Sequence, residues 1–448
     1  MKDSLARRNK KKSRTGFMDE DGAWYILDNA ATIMPAASNR VNSSLFRVSA
    51  TLDAPVHLPS LEAALARTVR RFPYFALELH RGFFWYYLEP HTAPIHVVAD
   101  AESPCQDFNV NKKGTCLFRV RAQGRRVACE FSHTLTDGTG GFRFLKNLLA
   151  EYYRIRGVEA KGFDPDLYDL DARPDPEEYE DSYNRYFSGQ YPIPEACKRA
   201  FQIRSPLLEP FNYRATTGIV PVAPALELAK SYGATLTELI TAVFIDAFQS
   251  MYFDLPERER RRRRPFTAIE VPVNMRKFYP TKSNRNFSLF VLITQDFRLG
   301  RRDFREIVER AHHQMRFEVD ERNIARQISR NVGGSRNIAV RLVPLVLKDF
   351  FARMLFSALG ESLISSFISN IGPVSLPEGP AEHVERFDFF PAPSLSTLTN
   401  ASMLSWKGNL YIGFGSLARS RELERLVLTR LRKLGLPVKV ECNLPIED

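Results

Sequence analysis

Hydrophobic and polar positions in the first half of the chain alternate with the periods of strands and helices. In "SLFRVSATL" (44–52), and on both sides of Gly124 in "CLFRVRAQGRRVACEFSH" (116–133), apolar residues occupy every second position. This alternation predicts a strand and then a hairpin. In "SLEAALARTVRRFP" the apolar residues lie three and four apart, which predicts a helix capped by Ser60. The first half is therefore a mixture of α and β.

A similar order of elements returns in the second half. The segment "APALELAKSYGATLTELITAVFIDAFQSMY" predicts two helices, the second capped by Thr235, while "TAIEVPVNM" and "FSLFVLITQ" predict strands. We expect further helices from Asp303 to about Arg326, from Asn337 to about Leu359, and from Arg421 to Leu434. Both halves thus combine helices with strands.

Composition changes between these halves. With 448 residues the chain is too long for one ordinary hydrophobic core, so two domains are favoured. A stretch rich in Asp, Glu, Tyr and Pro, including "DPDLYDLDARPDPEEYED", suits an irregular connection. The predicted organisation is a disordered basic tail (1–21), an N-terminal lobe (22–165), a linker (166–210) and a C-terminal lobe (211–448).

The overall composition, with 44% apolar and 12% aromatic residues, is typical of a folded globular protein. Five cysteines lie far apart without a C-x-x-C pair, which argues against a disulfide framework and a thiolate zinc site. Charges interrupt the longest apolar segment, which begins at Leu342, so it predicts no membrane span but can be a surface for something apolar. Residues 1–16 lack the apolar stretch of a secretion signal, and we expect a cytoplasmic location.

Much of the net charge of +11 lies in two runs, "RRNKKKSR" near the N-terminus and "RERRRRRP" at 258–265. Such runs are usually solvated, and attraction to nucleic acid or anionic lipid is the minority interpretation. The histidines outside the segment described next are isolated or adjacent on a helix, and no H-E-x-x-H occurs, so no metal site is predicted.

A candidate site follows the predicted hairpin, in "CEFSHTLTDGTGGFRFL" (129–145). The strand delivers His133 at its C-terminal end, and a helix begins after a tight turn whose backbone angles favour glycine. The glycines do not form G-x-G-x-x-G, and Cys129 lies about 13 Å from His133 along an extended strand, so a dinucleotide loop and a thiol–imidazole pair are excluded. His133 is then a general base beside a turn-holding Asp137, or both are structural.

The segment "HTLTDG" (133–138) fits the H-x-x-x-D-G signature of the acyltransferase superfamily that includes chloramphenicol acetyltransferase, peptide-synthetase condensation domains and alcohol acetyltransferases. With "VPVNMRKFYP" (271–280) and "SFISNIGPV" (366–374) following in order, the chain resembles alcohol acetyltransferase-like members most. The resemblance covers most of 22–442. It implies an α/β fold of two similar lobes, each a mixed sheet with helices, and an active-site tunnel between them.

The resemblance also implies roles for individual residues. His133 would take the proton from an acceptor, and Asp137 would form a structural ion pair, for which Arg276 is the candidate partner. Gly138 would keep side chains out of the tunnel. Polar residues at the ends of predicted strands could line the tunnel or donate to the oxyanion: Asn274, Ser369 and Asn370. Many condensation domains carry a second histidine where this chain has Ser132, which argues against peptide-bond condensation.

The resulting hypothesis is a metal-free O-acyltransferase, without a permanently bound cofactor, that moves an acyl group from coenzyme A to an alcohol. A separate acyl carrier protein is the alternative donor, because a basic loop such as 260–264 suits an acidic carrier as well as the phosphates of coenzyme A. A condensation-type enzyme is a further alternative. A non-catalytic protein that binds nucleic acid or a membrane surface is the rival from another class, and its binding would depend on salt but not on His133.

Overall fold

The computed structural model describes residues 24–39, 41, 43–189, 191, 198–355 and 361–444. Its strands are β1 (Tyr25–Ile26), β2 (Leu45–Leu52), β3 (Leu77–Arg81), β4 (Tyr86–Pro90), β5 (Val97–Ala99), β6 (Phe118–Gln123), β7 (Arg126–Ser132), β8 (Arg214–Pro221), β9 (Phe266–Asn274), β10 (Ser288–Asp296), β11 (Ser366–Pro373), β12 (Val384–Phe390), β13 (Thr399–Trp406), β14 (Asn409–Ser416) and β15 (Lys439–Cys442).

The helices are α1 (Met34–Ala37), α2 (Leu58–Arg71), α3 (Gly138–Ile155), α4 (Ser182–Tyr186), α5 (Val222–Ser231), α6 (Leu236–Phe253), α7 (Glu257–Arg260), α8 (Phe304–Glu318), α9 (Glu321–Arg336), α10 (Ile338–Leu342), α11 (Leu345–Leu355) and α12 (Glu422–Lys433).

The first sheet carries the end of the predicted hairpin. Its strand order is β12-β2-β7-β6-β5, with β5 parallel to β6 and the other pairs antiparallel. In the β2–β7 pair Leu45 lies opposite Ser132, and the buried side chains of Phe46 and Phe131 belong to one core with the apolar residues of α2 and α3. This packing places the C-terminal end of β7 beside the N-terminus of α3, because both helices cover the sheet. The strands β1-β4-β3 form a separate small sheet, whose buried Leu77, Leu79 and Leu88 belong to the same core.

The second sheet has the order β10-β9-β11-β13-β14-β8-β15 and is built from the second half of the chain. Helices α5, α6, α8 and α12 share its hydrophobic core. The predicted cap of α6 is present: the Thr235 hydroxyl accepts a hydrogen bond from the Glu238 backbone N–H, and the Glu238 carboxylate accepts one from the Thr235 N–H at 2.7 Å. The predicted fold class, two α/β lobes that each combine a mixed sheet with helices, is confirmed.

One strand crosses between the lobes. β12 comes from the second half of the chain but pairs with β2 at the edge of the first sheet. On its other side the Phe389 carbonyl accepts a hydrogen bond from the Ser402 hydroxyl of β13, at 2.5 Å. From the sequence, all of 211–448 was predicted to belong to the C-terminal lobe. The crossover of β12 was not predicted. The limits of the lobes and linker stay a prediction, and the tail 1–21 lies outside the described residues.

Three predicted helix boundaries were wrong. The helix that Ser60 was to cap begins at Leu58 with His57 as N-cap, because Pro59 suits the first turn of a helix; the Ser60 hydroxyl lies 2.8 Å from His57 Nδ1 instead. The helix expected from 303 to 326 divides into α8 and α9, because Asp320 caps a new helix through the Arg322 N–H.

The helix expected from 337 to about 359 divides in the same way. Pro344 lacks a backbone N–H and follows the end of α10, so α11 starts at Leu345. The end of this prediction, 356–360, lies outside the described residues. None of the helices in the described part of the chain is both long and apolar enough to span a bilayer.

Candidate functional site

The strand-to-helix corner predicted at 133–138 is present and tightly held. β7 ends at Ser132, His133 follows, and α3 begins at Gly138. The His133 backbone N–H donates to the Ser44 carbonyl at 2.9 Å, and its carbonyl accepts from Asn286 Nδ2 at 2.8 Å. The imidazole packs against the ring of Phe46, with 4.6 Å between the ring centroids. The position of the imidazole is therefore fixed from the first lobe and from the second.

His133 lies on the wall of a cavity of about 1290 Å³. Both halves of the chain contribute to this wall, with Phe46 and Gly138 from the first and Pro272 and Phe290 from the second. The sequence-predicted residues on the wall are His133, Asp137, Gly138, Asn274, Ser369 and Asn370. The structure thus brings together residues more than 200 positions apart in the chain. A tunnel open at two faces stays a prediction.

Asp137 and Arg276 form the predicted ion pair. Arg276 Nη1 lies 2.8 Å from Asp137 Oδ2, and each side chain is only 9% exposed. The other carboxylate oxygen accepts from the backbone N–H groups of Thr139 and Gly140, so Asp137 is also the N-cap of α3. Asp137 Oδ2 also accepts from the Phe287 N–H at 2.9 Å. The carboxylate thus joins the first turn of α3 to the second lobe.

Arg276 has further partners that fix its guanidinium. Nε donates to the Ser283 carbonyl at 3.0 Å, and Nη2 donates to the Arg285 carbonyl at 2.5 Å. Burial raises the pKa of Asp137, but the charge of Arg276 and hydrogen bonds from Arg276, Phe287 and Gly140 outweigh that effect. The pKa of Asp137 therefore lies below its usual value, and the carboxylate is ionised at neutral pH.

The surroundings of His133, in contrast, favour the neutral form of its side chain. Burial lowers the pKa of His133, and the charge of Asp137 with hydrogen bonds to Asn286 and to the backbone of Thr136 only partly offsets this. The pKa lies below the usual value of 6.5, so the imidazole is neutral at neutral pH. A neutral imidazole on a cavity wall can accept a proton from a bound hydroxyl or amine.

The three predicted polar residues of the wall differ in their contacts. Asn274 Nδ2 donates to Thr139 Oγ1 at 3.3 Å, and its Oδ1 accepts from the Arg276 N–H at 3.0 Å. Asn370 Nδ2 donates to Thr237 Oγ1 at 2.8 Å, while Ser369 belongs to β11. Both amides already have protein acceptors, so their hydrogen bonds shape the wall. A role for any of the three toward an oxyanion stays a prediction.

The glycines after Asp137 are needed for space and not, as the sequence suggested, for unusual backbone angles. None of Gly138, Gly140 and Gly141 has a positive φ. A Cβ on Gly138 would lie 2.9 Å from Ile371 Cδ1, and one on Gly140 would lie 2.4 Å from the Asn284 carbonyl oxygen. The second lobe approaches the first turn of α3 so closely that a side chain does not fit.

Sequence reasoning missed a buried loop, 283–287, that wraps around the corner. Within it, Asn286 Nδ2 bridges the His133 carbonyl and Asp28 Oδ2, at 2.8 and 2.9 Å, and the Asn284 carbonyl accepts from the Thr136 hydroxyl. Burial raises the pKa of Asp28 to about 7. The only sequence signal is a short polar run, "SNRN", before the strand "FSLFVLITQ", and nothing in that run indicates burial.

Ser132, the residue directly before His133, does not face the cavity. It is fully buried, and its hydroxyl lies 2.6 Å from that of Ser44 and donates to Thr134 Oγ1 at 3.0 Å. Within the part of the chain that the structure describes, no group of three or more His, Cys, Asp or Glu side chains is placed to hold a metal ion.

Comparisons with known proteins relate this arrangement to solved structures. No protein-family model and no curated protein matches the chain. The chain is similar over 92% of its length, with 11% identity and a TM-score of 0.57, to a trichothecene 15-O-acetyltransferase from Fusarium sporotrichioides, of which it covers 94%. It is similar over 91% of its length to the first condensation domain of the CDA synthetase, with 15% identity, 95% of that chain covered and a TM-score of 0.58.

A third similar structure is a variant of the starter condensation domain of rhizomide synthetase in complex with C8-CoA. The similarity covers 92% of this chain and 94% of that one, at 12% identity and a TM-score of 0.58. The chain therefore has the chloramphenicol acetyltransferase-like fold of these two condensation domains and this acetyltransferase, and the predicted resemblance is confirmed at the level of the fold.

Proposed function

We propose that this chain is an acyltransferase that moves an acyl group from a thioester to an alcohol, with His133 as general base. The observation that carries the proposal is a neutral, immobilised imidazole on the wall of a large cavity between two lobes. The fold supports it, because solved proteins with this fold include an O-acetyltransferase and condensation domains.

The reaction would proceed without a covalent acyl-enzyme. His133 accepts the proton of the acceptor hydroxyl as its oxygen attacks the thioester carbonyl carbon. The tetrahedral intermediate then collapses: the C–S bond breaks, the thiolate leaves, and it takes the proton from the imidazolium. The products are an ester and a free thiol, and the imidazole returns to its neutral form.

Asp137 is a positioning residue in this proposal, since its oxygens are occupied by Arg276 and by the N–H groups of Thr139, Gly140 and Phe287. Those contacts keep α3 and the loop 283–287 in place around His133. The proposed site residues are His133 as base, with Asp137, Gly138 and Arg276 as structural residues. Asn274, Ser369 and Asn370 are proposed to line the path of the substrates.

Coenzyme A is the proposed source of the thioester, and a carrier protein is the second candidate donor. Among proteins of similar structure, one is a condensation domain in complex with C8-CoA and another is named a polyketide synthase associated protein. Ser132 stands where many condensation domains carry a second histidine, which counts against peptide-bond condensation, and its hydroxyl is hydrogen-bonded inside the first lobe.

The test is to incubate the purified full chain with a panel of acyl-CoAs of different lengths and with short-chain, long-chain and aromatic alcohols, and in parallel with the corresponding amines. Mass spectrometry should detect an ester, and a thiol reagent should detect an equal amount of free coenzyme A. Parallel reactions with acyl-pantetheine and with an acylated carrier protein would identify the donor. Amide products from amines, without esters from any alcohol, would contradict the proposal and favour a condensation-type reaction.

A further inference from the structure

In helix α11 the charged side chains of Lys348 and Asp349 contact the protein, Leu345 is buried, and four other apolar side chains face the solvent. Asp349 is buried, where its Oδ2 accepts from Arg81 Nη2 at 2.9 Å and from the Tyr86 hydroxyl at 2.8 Å. Lys348 Nζ donates to the Phe84 carbonyl at 3.0 Å. The helix is thus anchored by its polar residues, the reverse of the pattern of an ordinary surface helix.

The outward face of α11 is formed by residues one, three, four and five positions apart. Val346, Leu347, Phe350 and Phe351 are 67, 50, 64 and 55% exposed. Leu342 of α10 and Phe83, whose carbonyl accepts from the Leu345 N–H, add two more exposed side chains. We call these six residues the apolar surface. A continuous exposed apolar patch of this kind marks an interaction site, because its exposure to water is unfavourable.

The charges around the apolar surface are mostly positive. Between 338 and 352 the charged residues are Arg341, Lys348 and Asp349, and the last is neutralised by Arg81. Lys348 Nζ lies 3.8 Å from the ring centre of Trp85, and the Arg341 guanidinium lies 5.5 Å from it. Trp85 is 44% exposed, so an indole and two cations border the apolar side chains.

We propose that the apolar surface docks this protein on a lipid bilayer that contains anionic lipids. Phenylalanine and leucine side chains would enter the acyl boundary, Trp85 would lie at the level of the head groups, and the exposed Arg341 would face the lipid phosphates. The complementary charge favours anionic lipid over a second copy of the chain, since each copy would bring the same cations to the contact.

Helix α11, which carries most of the apolar surface, is separated from the candidate site by one helix. Helix α1 packs against α11, and Met34 and Ala37 of α1 also lie on the cavity wall. Given the proposed acyl transfer at His133, docking on the bilayer would allow an acceptor dissolved in the bilayer to approach His133 without crossing bulk water. The docking itself does not depend on that function, so the two can be tested separately.

The experiment is a flotation assay with the full chain and two kinds of vesicle, phosphatidylcholine alone and phosphatidylcholine mixed with phosphatidylglycerol. We expect binding to the mixed vesicles, weaker binding to the neutral ones, and a decrease as sodium chloride is added. Replacing two apolar residues by serine, Phe350→Ser with Phe351→Ser, should weaken binding by about tenfold or more. The matched control is Phe163→Ser, because Phe163 is 92% exposed but lies outside this surface.

The His133→Ala variant should bind the vesicles as the unmodified protein does, which separates docking from turnover. Light scattering should give the same molar mass for the unmodified and doubly substituted proteins. Absence of binding to the mixed vesicles, or an equal loss in Phe163→Ser, would overturn the proposal. A molar mass that falls in the double variant while vesicle binding persists would instead assign the surface to contacts between copies.

Discussion

At the scale of single residues, a histidine can act as a base only if its ring is neutral and correctly oriented. Burial keeps the pKa of His133 low, and Asn286 and Ser44 hold its backbone from opposite sides. Asp137 is nearby, but its hydrogen bonds go to Arg276 and to backbone N–H groups. The surroundings therefore favour an imidazole that accepts a proton, rather than one kept charged by a carboxylate.

We predict that His133→Ala lowers the rate of acyl transfer by about 10²–10⁴-fold, the usual contribution of a general base. Steady-state kinetics on whichever acyl-CoA and alcohol pair reacts in the panel would measure this. The melting temperature should fall little, because the ring is partly exposed on the cavity wall. His96→Ala is the matched control, since the His96 side chain is 70% exposed, and it should leave the rate unchanged.

The same histidine predicts the pH dependence. Only neutral imidazole accepts a proton, so the rate should rise with pH through the His133 titration and then level off. Because the folded-state pKa lies below 6.5, the midpoint of this rise should also lie below 6.5. A pH profile of kcat/KM in the unmodified protein measures it. A rate that falls as the pH rises from 5 to 7 would rule out a neutral imidazole as the base.

The residues of the H-x-x-x-D-G motif could be predicted because they lie a few positions apart in the sequence. The positions of Asn286 and Asp28 at the site could not be predicted. His133 and Asp137 are four positions apart at the end of an alternating strand, and the resemblance supplied Arg276. The bridge from Asp28 through Asn286 to His133 joins positions 258 and 153 residues apart. Hydrophobic periodicity contains no information on which polar residue of a loop is buried against which other.

Gly140 provides a test of the close contact between the lobes. A Cβ there would lie 2.1 Å from Thr136 Oγ1 and 2.4 Å from the Asn284 carbonyl oxygen, which is backbone. Gly140→Ala should therefore lower the free energy of unfolding by about 1–3 kcal/mol or more. Urea unfolding is the measurement. In Gly333→Ala a Cβ meets nothing within 4 Å in the last turn of α9, so this control should be neutral or stabilising.

At the scale of elements, the start of α3 is tied to the end of β9 by the ion pair of Asp137 and Arg276. Arg276→Ala leaves a buried carboxylate without its counter-charge, and we predict a loss of about 3–5 kcal/mol in the free energy of unfolding. Chemical denaturation would measure it. The exposed pair Arg425 and Glu422 is the control, and Arg425→Ala should cost less than about 1 kcal/mol.

The sign of the pH effect on this pair is also defined. The pKa of Asp137 is lower in the folded protein than in the unfolded chain, so the pair stabilises the fold at neutral pH. That contribution is lost as the pH falls through the folded-state pKa. The difference in stability between the unmodified protein and Arg276→Ala should therefore shrink in acid, and a difference that grows in acid would contradict the pairing.

The types of element were more predictable from sequence than their limits. Thr235 and Glu238 form a local capping box, which four consecutive positions specify. The division between α8 and α9 depends on Asp320, and the helical periodicity on both sides of that residue hides the division. Because of Pro59, α2 begins on the N-terminal side of Ser60. Periodicity identifies a helix, while its exact ends depend on the cap and on the residues of the first turn, which the periodicity does not encode.

At the scale of the whole molecule, the composition break after Gly162 predicted two lobes, and β12 makes the first lobe depend on the second half of the chain. Phe387 and Phe389 of β12 belong to the core of the first lobe together with Phe46 and Phe142. Pairing between strands more than 300 positions apart leaves no local signal in the sequence. Two lobes could be predicted, but the strand that joins them could not.

This crossover predicts that the first lobe does not fold alone. A fragment of residues 1–210 lacks β12, so β2 becomes an unpaired edge strand and the cluster around Phe46 loses two buried phenylalanines. We expect the fragment to lack a cooperative urea transition and a near-ultraviolet circular dichroism signal, both of which the full chain should have. Co-expression with 211–448 should restore both, because that fragment supplies β12. A fragment 1–210 that unfolds cooperatively by itself would show that the first sheet is complete without the crossover strand.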